Sequence, residues 1–203
     1  VDDTWAAAVR TLGGTPTATD LVQRYAEPHR AYHNATHVDQ VVRDAAALSA
    51  HLPARDRAIL TLAALAHDVI YDGAPGDDER RSAGWARHHL TASGVPEPEV
   101  ARVEGLILAT ITHDAPDDLA AVLLDADLAV LASPDYETYR GAVRREYAHV
   151  PDEVWRTGRA AVLRSLLAKD PLYRIPAARD CWEAAARANV SAELATLEAG
   201  PRP

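Results

Sequence analysis

The chain has 203 residues, 48% of them hydrophobic, which is enough to bury a core and small enough for one domain. Its formal net charge of −9, from 30 acidic and 21 basic residues, argues against a groove for duplex nucleic acid, where Lys and Arg must neutralise phosphates. The single cysteine, Cys181, excludes an intrachain disulfide framework, and no stretch is apolar for the ~20 residues a membrane helix needs.

In chain order the pattern is helical throughout. Alanine and leucine dominate, β-branched runs are scarce, and Gly and Pro punctuate amphipathic stretches. The acidic start Val1-Asp2-Asp3 lacks a signal-peptide pattern, so a cytoplasmic protein is expected. Thr19-Asp20 predicts the cap of a short helix through Arg24. Asn34 or Thr36 opens a helix toward His51, and Pro53 stands near the start of the next, which runs through Ala66 to His67-Asp68. Asp77 and Asp78 predict the cap of a helix to about Leu90. Pro96-Glu97 opens one through Thr110, and Pro116-Asp117 one ending near Leu131. Asp135, Asp152 and Ala177 begin three more. No strand pattern, internal repeat or low-complexity tract interrupts this series. The expected organisation is one all-α domain over 1–198, with a core region of about 29–131, C-terminal helices of about 135–196, and a disordered tail at 199–203.

Three features carry chemistry. The first is Tyr32-His33-Asn34-Ala35-Thr36-His37, where two histidines four apart share a helix face. Imidazole is a common ligand of transition-metal ions, although such a pair alone is more often a solvated helix face. The second is His67-Asp68 at the end of the apolar run Ile59–Ala66. Two ionisable residues there are costly unless they are paired, bound to a metal, or leaving the core for solvent. The third is Leu123-Leu124-Asp125-Ala126-Asp127-Leu128, where two carboxylates interrupt another apolar run. Being two apart, they face different ways on a helix.

Together these features resemble the HD-domain superfamily of metal-dependent phosphohydrolases, whose signature is an ordered His … His-Asp … Asp set. The chain is similar over nearly its whole length to a bacterial group described as predicted metal-dependent HD phosphohydrolases. Supporting stretches are His29–Val38, His67–Asp72, Asp77-Asp78-Glu79 with Ser82-Ala83, Ala109–His113, Asp125–Leu128, Arg145-Glu146-Tyr147, Gly158-Arg159 and Ala186–Asn189. The resemblance implies a helical bundle and a divalent ion held by His37, His67, Asp68 and Asp127, with Asp125 as the alternative last ligand. One or two ions are implied, drawn from Mn, Fe, Ni, Co, Mg or Zn.

The same resemblance implies further roles. His33, in a Tyr-His-Asn-x-x-His setting similar to that of cyclic-nucleotide phosphodiesterases, is the candidate general acid. Asp72 and Glu79 are candidates for orienting water. The run His67–Asp72 looks like the His-Asp-x-x-Glu-Asp motif of guanosine tetraphosphate hydrolases, with Tyr71 in place of the Glu. Arg30 is the first candidate phosphate clamp, and His113 a candidate to line the pocket or meet a second ion. The expected substrate is a small phosphorylated metabolite or nucleotide, the expected chemistry hydrolysis of an ester or anhydride, and a homodimer is allowed. The competing readings are a di-iron oxygenase of the same superfamily and a non-catalytic nucleotide-binding regulatory module.

Overall fold

The structure is a computed structural model and describes residues 1–199. The described residues are all-helical, with no strand. The α-helices are α1 (Asp2–Thr11), α2 (Leu21–Tyr25), α3 (Ala35–Leu48), α4 (Ala54–Ala66), α5 (Asp77–Ala92), α6 (Glu97–Ala109), α7 (Asp118–Asp127), α8 (Tyr136–Glu146), α9 (Asp152–Ala168) and α10 (Pro176–Ala199). A 3₁₀ segment, Leu128–Ala132, follows α7 directly. No helix among the described residues is long and apolar enough to cross a membrane. Of the tail expected at 199–203, Ala199 ends α10 and the remainder lies outside the described residues.

The chain divides into two compact units, the first spanning Val1–Asp127 and the second beginning at Leu128. The first unit therefore reaches well ahead of residue 29 and includes α1 and α2. Its centre is α4, which packs against α1, α3, α5, α6 and α7. The sequence dictates this position. Ala58, Ile59, Leu60 and Leu62 through Ala66 are all buried, and a helix apolar on every side finds a stable place only when surrounded. α3 and α6 are amphipathic and cover it with Val38, Val41 and Ala45, and with Val100, Val103, Leu106 and Ile107.

Local chemistry sets the helix ends. The Asn34 side chain accepts a hydrogen bond from the Thr36 N–H at 2.9 Å, so Asn34, of the two candidates, caps α3. The cap of α5 is Gly76, one residue ahead of the expected aspartates. Its backbone has φ +84°, a region that glycine enters without the steric cost of a side chain. The predicted helix toward Leu131 is α only as far as Asp127, where it tightens into the 3₁₀ segment. α1 precedes every predicted helix start; it buries Trp5, Ala8 and Val9.

In the second unit, α10 packs against α9 and against the 3₁₀ segment, and α8 also meets that segment. The Asn189 amide donates to the carbonyls of Leu131 and Ser133 at 2.9 and 3.1 Å, and the Tyr173 hydroxyl donates to Leu128 O at 2.9 Å. The Glu183 carboxylate accepts from the N–H groups of Leu172 and Tyr173. Buried within this unit is an ion pair, Arg159–Glu193, at 2.9 Å.

Candidate metal centre

Three elements of the first unit bring the expected ligands together. His37 lies in the first turn of α3, His67 and Asp68 follow the last residue of α4, and Asp127 is the last residue of α7. One ligand atom each from His37, His67 and Asp127 lie within 4.8 Å of one another. Asp68 stands beside this trio, with Oδ2 3.4 Å from His37 Nε2 and 3.1 Å from His67 Nε2. Asp127 Oδ1 is 3.4 and 3.5 Å from the same two nitrogens.

These approaches are close but lack hydrogen-bond geometry. His37 Nε2 and His67 Nε2 are both buried with no hydrogen-bond partner. An orphaned buried nitrogen costs on the order of 1–3 kcal/mol, so two aimed at one point need a compensating interaction there. A cation provides it. His67 Nδ1 lies 2.9 Å from Ala64 O. A carbonyl only accepts, so Nδ1 carries the proton and the Nε2 lone pair is left to face the cluster. Two imidazoles and a carboxylate, with Asp68 beside them, form a mixed nitrogen and oxygen donor set. The residues present could therefore hold a metal ion.

The electrostatics point the same way. Burial pushes His37 and His67 down, but the adjacent Asp127 and Asp68 carboxylates more than offset it and hold both imidazoles above the usual histidine range, His67 well above. Burial likewise pushes the two carboxyls up, but nearby histidines hold Asp68 and Asp127 well below the usual carboxylate range. Two carboxylates facing two imidazoles thus favour a positive charge, proton or metal, at this point.

Asp127, and not Asp125, joins the imidazoles. Two residues along an α-helix turn a side chain by about 200°, and Asp125 is carried into the buried side of α7. His33 is half-buried beside the ligands, its ring stacked on Tyr71 at 4.1 Å and edge-on to His37 at 5.7 Å. His113 sits after α6 at φ 53°, with Nε2 3.4 Å from Asp127 Oδ2, while Oδ1 is the oxygen nearest His37 and His67. A non-glycine residue in that backbone region is uncommon and costs on the order of 1 kcal/mol.

Three expected site residues are engaged elsewhere. Asp72 is exposed, and its carboxylate lies 2.6 Å from the Arg81 guanidinium, which holds it below the usual carboxylate range. Glu79 Oε2 accepts the Gly76 N–H at 2.6 Å, one half of a capping box that glycine, with no side chain, cannot reciprocate. The Arg30 side chain is wholly buried, so it offers no surface to a phosphate. Glu79→Ala is expected to lower the unfolding free energy by about 1 kcal/mol through loss of the cap. Its divalent-metal affinity should stay within twofold of wild type by calorimetry; a larger loss would return Glu79 to the site.

Two residues that the sequence offered only as a helix cap, Asp78, and as part of a matched stretch, Ser82, shape the segment after His67-Asp68. Asp78 Oδ2 accepts the N–H groups of Asp72 and Ala74, and Ser82 Oγ accepts the N–H of Ile70. The available signal was their spacing: four apart in α5, they share one helix face, which is turned to the preceding loop.

Comparison with models of known protein families, with curated proteins and with solved structures gives no match for this chain.

Proposed function

We propose that this chain is a divalent-metal-dependent phosphohydrolase of small phosphate esters or anhydrides, a nucleotide foremost, working in the cytoplasm. The observation that carries the reading is the pair of buried, partnerless Nε2 atoms of His37 and His67, set against the carboxylates of Asp68 and Asp127. The ordered His … His-Asp … Asp pattern of the sequence supports phosphoester chemistry over other uses of such a centre.

His37, His67, Asp68 and Asp127 would hold the ion. A divalent ion so held supplies a water of lowered pKa and a Lewis acid for a phosphoryl oxygen. The chain's own residues do the rest. Tyr71 stacks on His33 and fixes the plane of its imidazole beside the ligands. From there His33 donates a proton to the departing oxygen, a useful role because an alkoxide leaves poorly without one. His113 faces the second oxygen of Asp127 and orients that carboxylate.

The test is a metal analysis of protein purified without chelator, followed by phosphate release from a panel of nucleotides and phosphomonoesters. Release that requires added Mn or Ni is the expected result. Substrate-dependent oxygen uptake by an iron-loaded protein, or binding of nucleotides with no turnover under any metal, would replace this reading with one of its competitors.

A further inference from the structure

We infer that Arg30 is a positioning residue for the metal centre, a bracket that sets the distance between the start of α3 and the end of α4. The inference rests on the metal-binding reading above and assigns to Arg30 a part in it that involves no contact with substrate.

The C-terminal end of α4 has the shortage common to all helices: its last carbonyls lack N–H partners from the next turn. Here the first unit supplies two donors from the segment before α3. The Tyr25 hydroxyl donates to Leu65 O at 2.9 Å. Arg30 does more. Its Nη1 donates to Asp68 O at 2.7 Å and to His33 O at 3.0 Å, and its Nη2 donates to Val69 O at 3.0 Å. One planar guanidinium thus ties a carbonyl just before α3 to two carbonyls just after α4. The aromatic ring of Tyr25 lies 5.2 Å from the guanidinium carbon and that of Tyr71 5.7 Å, both within cation–π range. Glu27 Oε2 accepts Nε at 2.9 Å and fixes the guanidinium from the outer side. A cation at a helix C-terminus is also favoured by the helix dipole.

The tied carbonyls belong to residues that bear on the centre. Asp68 is itself a candidate ligand, and His33 immediately precedes Asn34, whose side chain caps the helix turn that carries His37. Arg30 therefore spans two of the three segments that converge on the ion. Lysine cannot substitute, because a compact ammonium does not offer the fixed fork that reaches three carbonyls at once. Residues that orient metal ligands without touching the metal typically change affinity by about 10–100-fold when replaced.

Cobalt(II) titration of the full chain tests this, reading both the dissociation constant and the visible absorption spectrum of the bound ion, with far-UV circular dichroism and thermal unfolding of the metal-free proteins alongside. Wild type is expected to bind cobalt. Arg30→Lys, folded at the temperature of the titration, is expected to bind it at least ~10-fold more weakly and with an altered spectrum. A folded Arg30→Lys with wild-type affinity and spectrum overturns the inference and leaves the metal reading standing. A wild-type chain that binds no cobalt sinks the metal reading and the inference with it. Should Arg30→Lys fail to fold, Glu27→Ala decides. Its side chain is partly exposed, and its removal frees the outer edge of the guanidinium. Weakened cobalt binding or a shifted spectrum in that variant supports the bracket, and an unchanged pair of readouts overturns it.

Discussion

Asp127→Asn is expected to lower metal affinity by more than ~100-fold and, if the chain is the phosphohydrolase proposed above, to reduce metal-dependent phosphate release to background. Asp125→Asn is expected to leave both measurements near wild type. The two residues are separated by one position and share an apolar helix, yet only Asp127 carries an oxygen to within 3.4–3.5 Å of both ligand imidazoles. Amide for carboxylate keeps the volume and removes the charge, so the loss is one of ligand chemistry and not of packing. Calorimetry with Mn or Ni measures it directly. Equal losses in the two variants would mean that the helix and not the carboxylate is what matters.

The same prediction has a pH arm. In the metal-free protein His37 and His67 are held above the ordinary histidine range, so metal must displace protons to bind, and apparent affinity rises with pH through neutrality. Stability of the metal-free protein moves the other way. A raised imidazole contributes stability that is fully present below the unfolded histidine value of about 6.5 and is lost as pH rises through the folded value. The depressed Asp68 and Asp127 contribute stability that is present above the unfolded value of about 4 and is lost as pH falls through the folded ones. Chelated wild type should therefore melt at a lower temperature at pH 9 than at pH 6. Asp127→Asn removes part of what raises the imidazoles, and its alkaline decline should be smaller. Histidine proton resonances followed across pH check the sign at each ring.

The second large effect lies in the other unit. Arg159→Met should cost about 3–5 kcal/mol of unfolding free energy, because it strands Glu193 as an uncompensated buried charge. Arg159 is 8% exposed and Glu193 3%. Two guanidinium nitrogens meet the carboxylate at 2.9 and 3.0 Å, and the Tyr136 hydroxyl donates to it at 2.5 Å. Burial, together with the Glu193 hydrogen bond, pushes the Tyr136 hydroxyl well above the ordinary tyrosine range, so it remains a donor at every working pH. Adding Glu193→Gln to Arg159→Met should recover much of the loss, since an amide leaves no charge behind and still accepts from Tyr136. Chemical denaturation of the single and double variants gives the coupling. A single variant as stable as wild type would show that the pair does not hold α9 to α10.

The sequence made particular parts of this molecule legible. The run from Ile59 to Ala66, apolar but for Thr61, announced a core helix, and α4 is surrounded by five others. Prolines and acidic residues marked most helix starts within a residue or two, because the orphaned N–H groups of a first turn accept only certain neighbours. Where the reading slipped, the cause was local. At α5 the positive φ of Gly76 took the capping position from the aspartates that follow, and the Glu79 expected to orient water serves that cap. Asp72 lies exposed against Arg81, a partner nine residues on that no spacing rule singles out.

Residue chemistry and order along the chain determined which groups can act as ligands, and helical periodicity determined that each sits at or near the end of a helix. Tertiary structure alone decided which of them meet. Periodicity fixes a side chain's direction about its own helix axis but says nothing of the separation between helices. That separation decided for Asp127 over Asp125, placed His113 within 3.4 Å of the second Asp127 oxygen, and buried Arg30 among carbonyls from two segments instead of leaving it open to a phosphate.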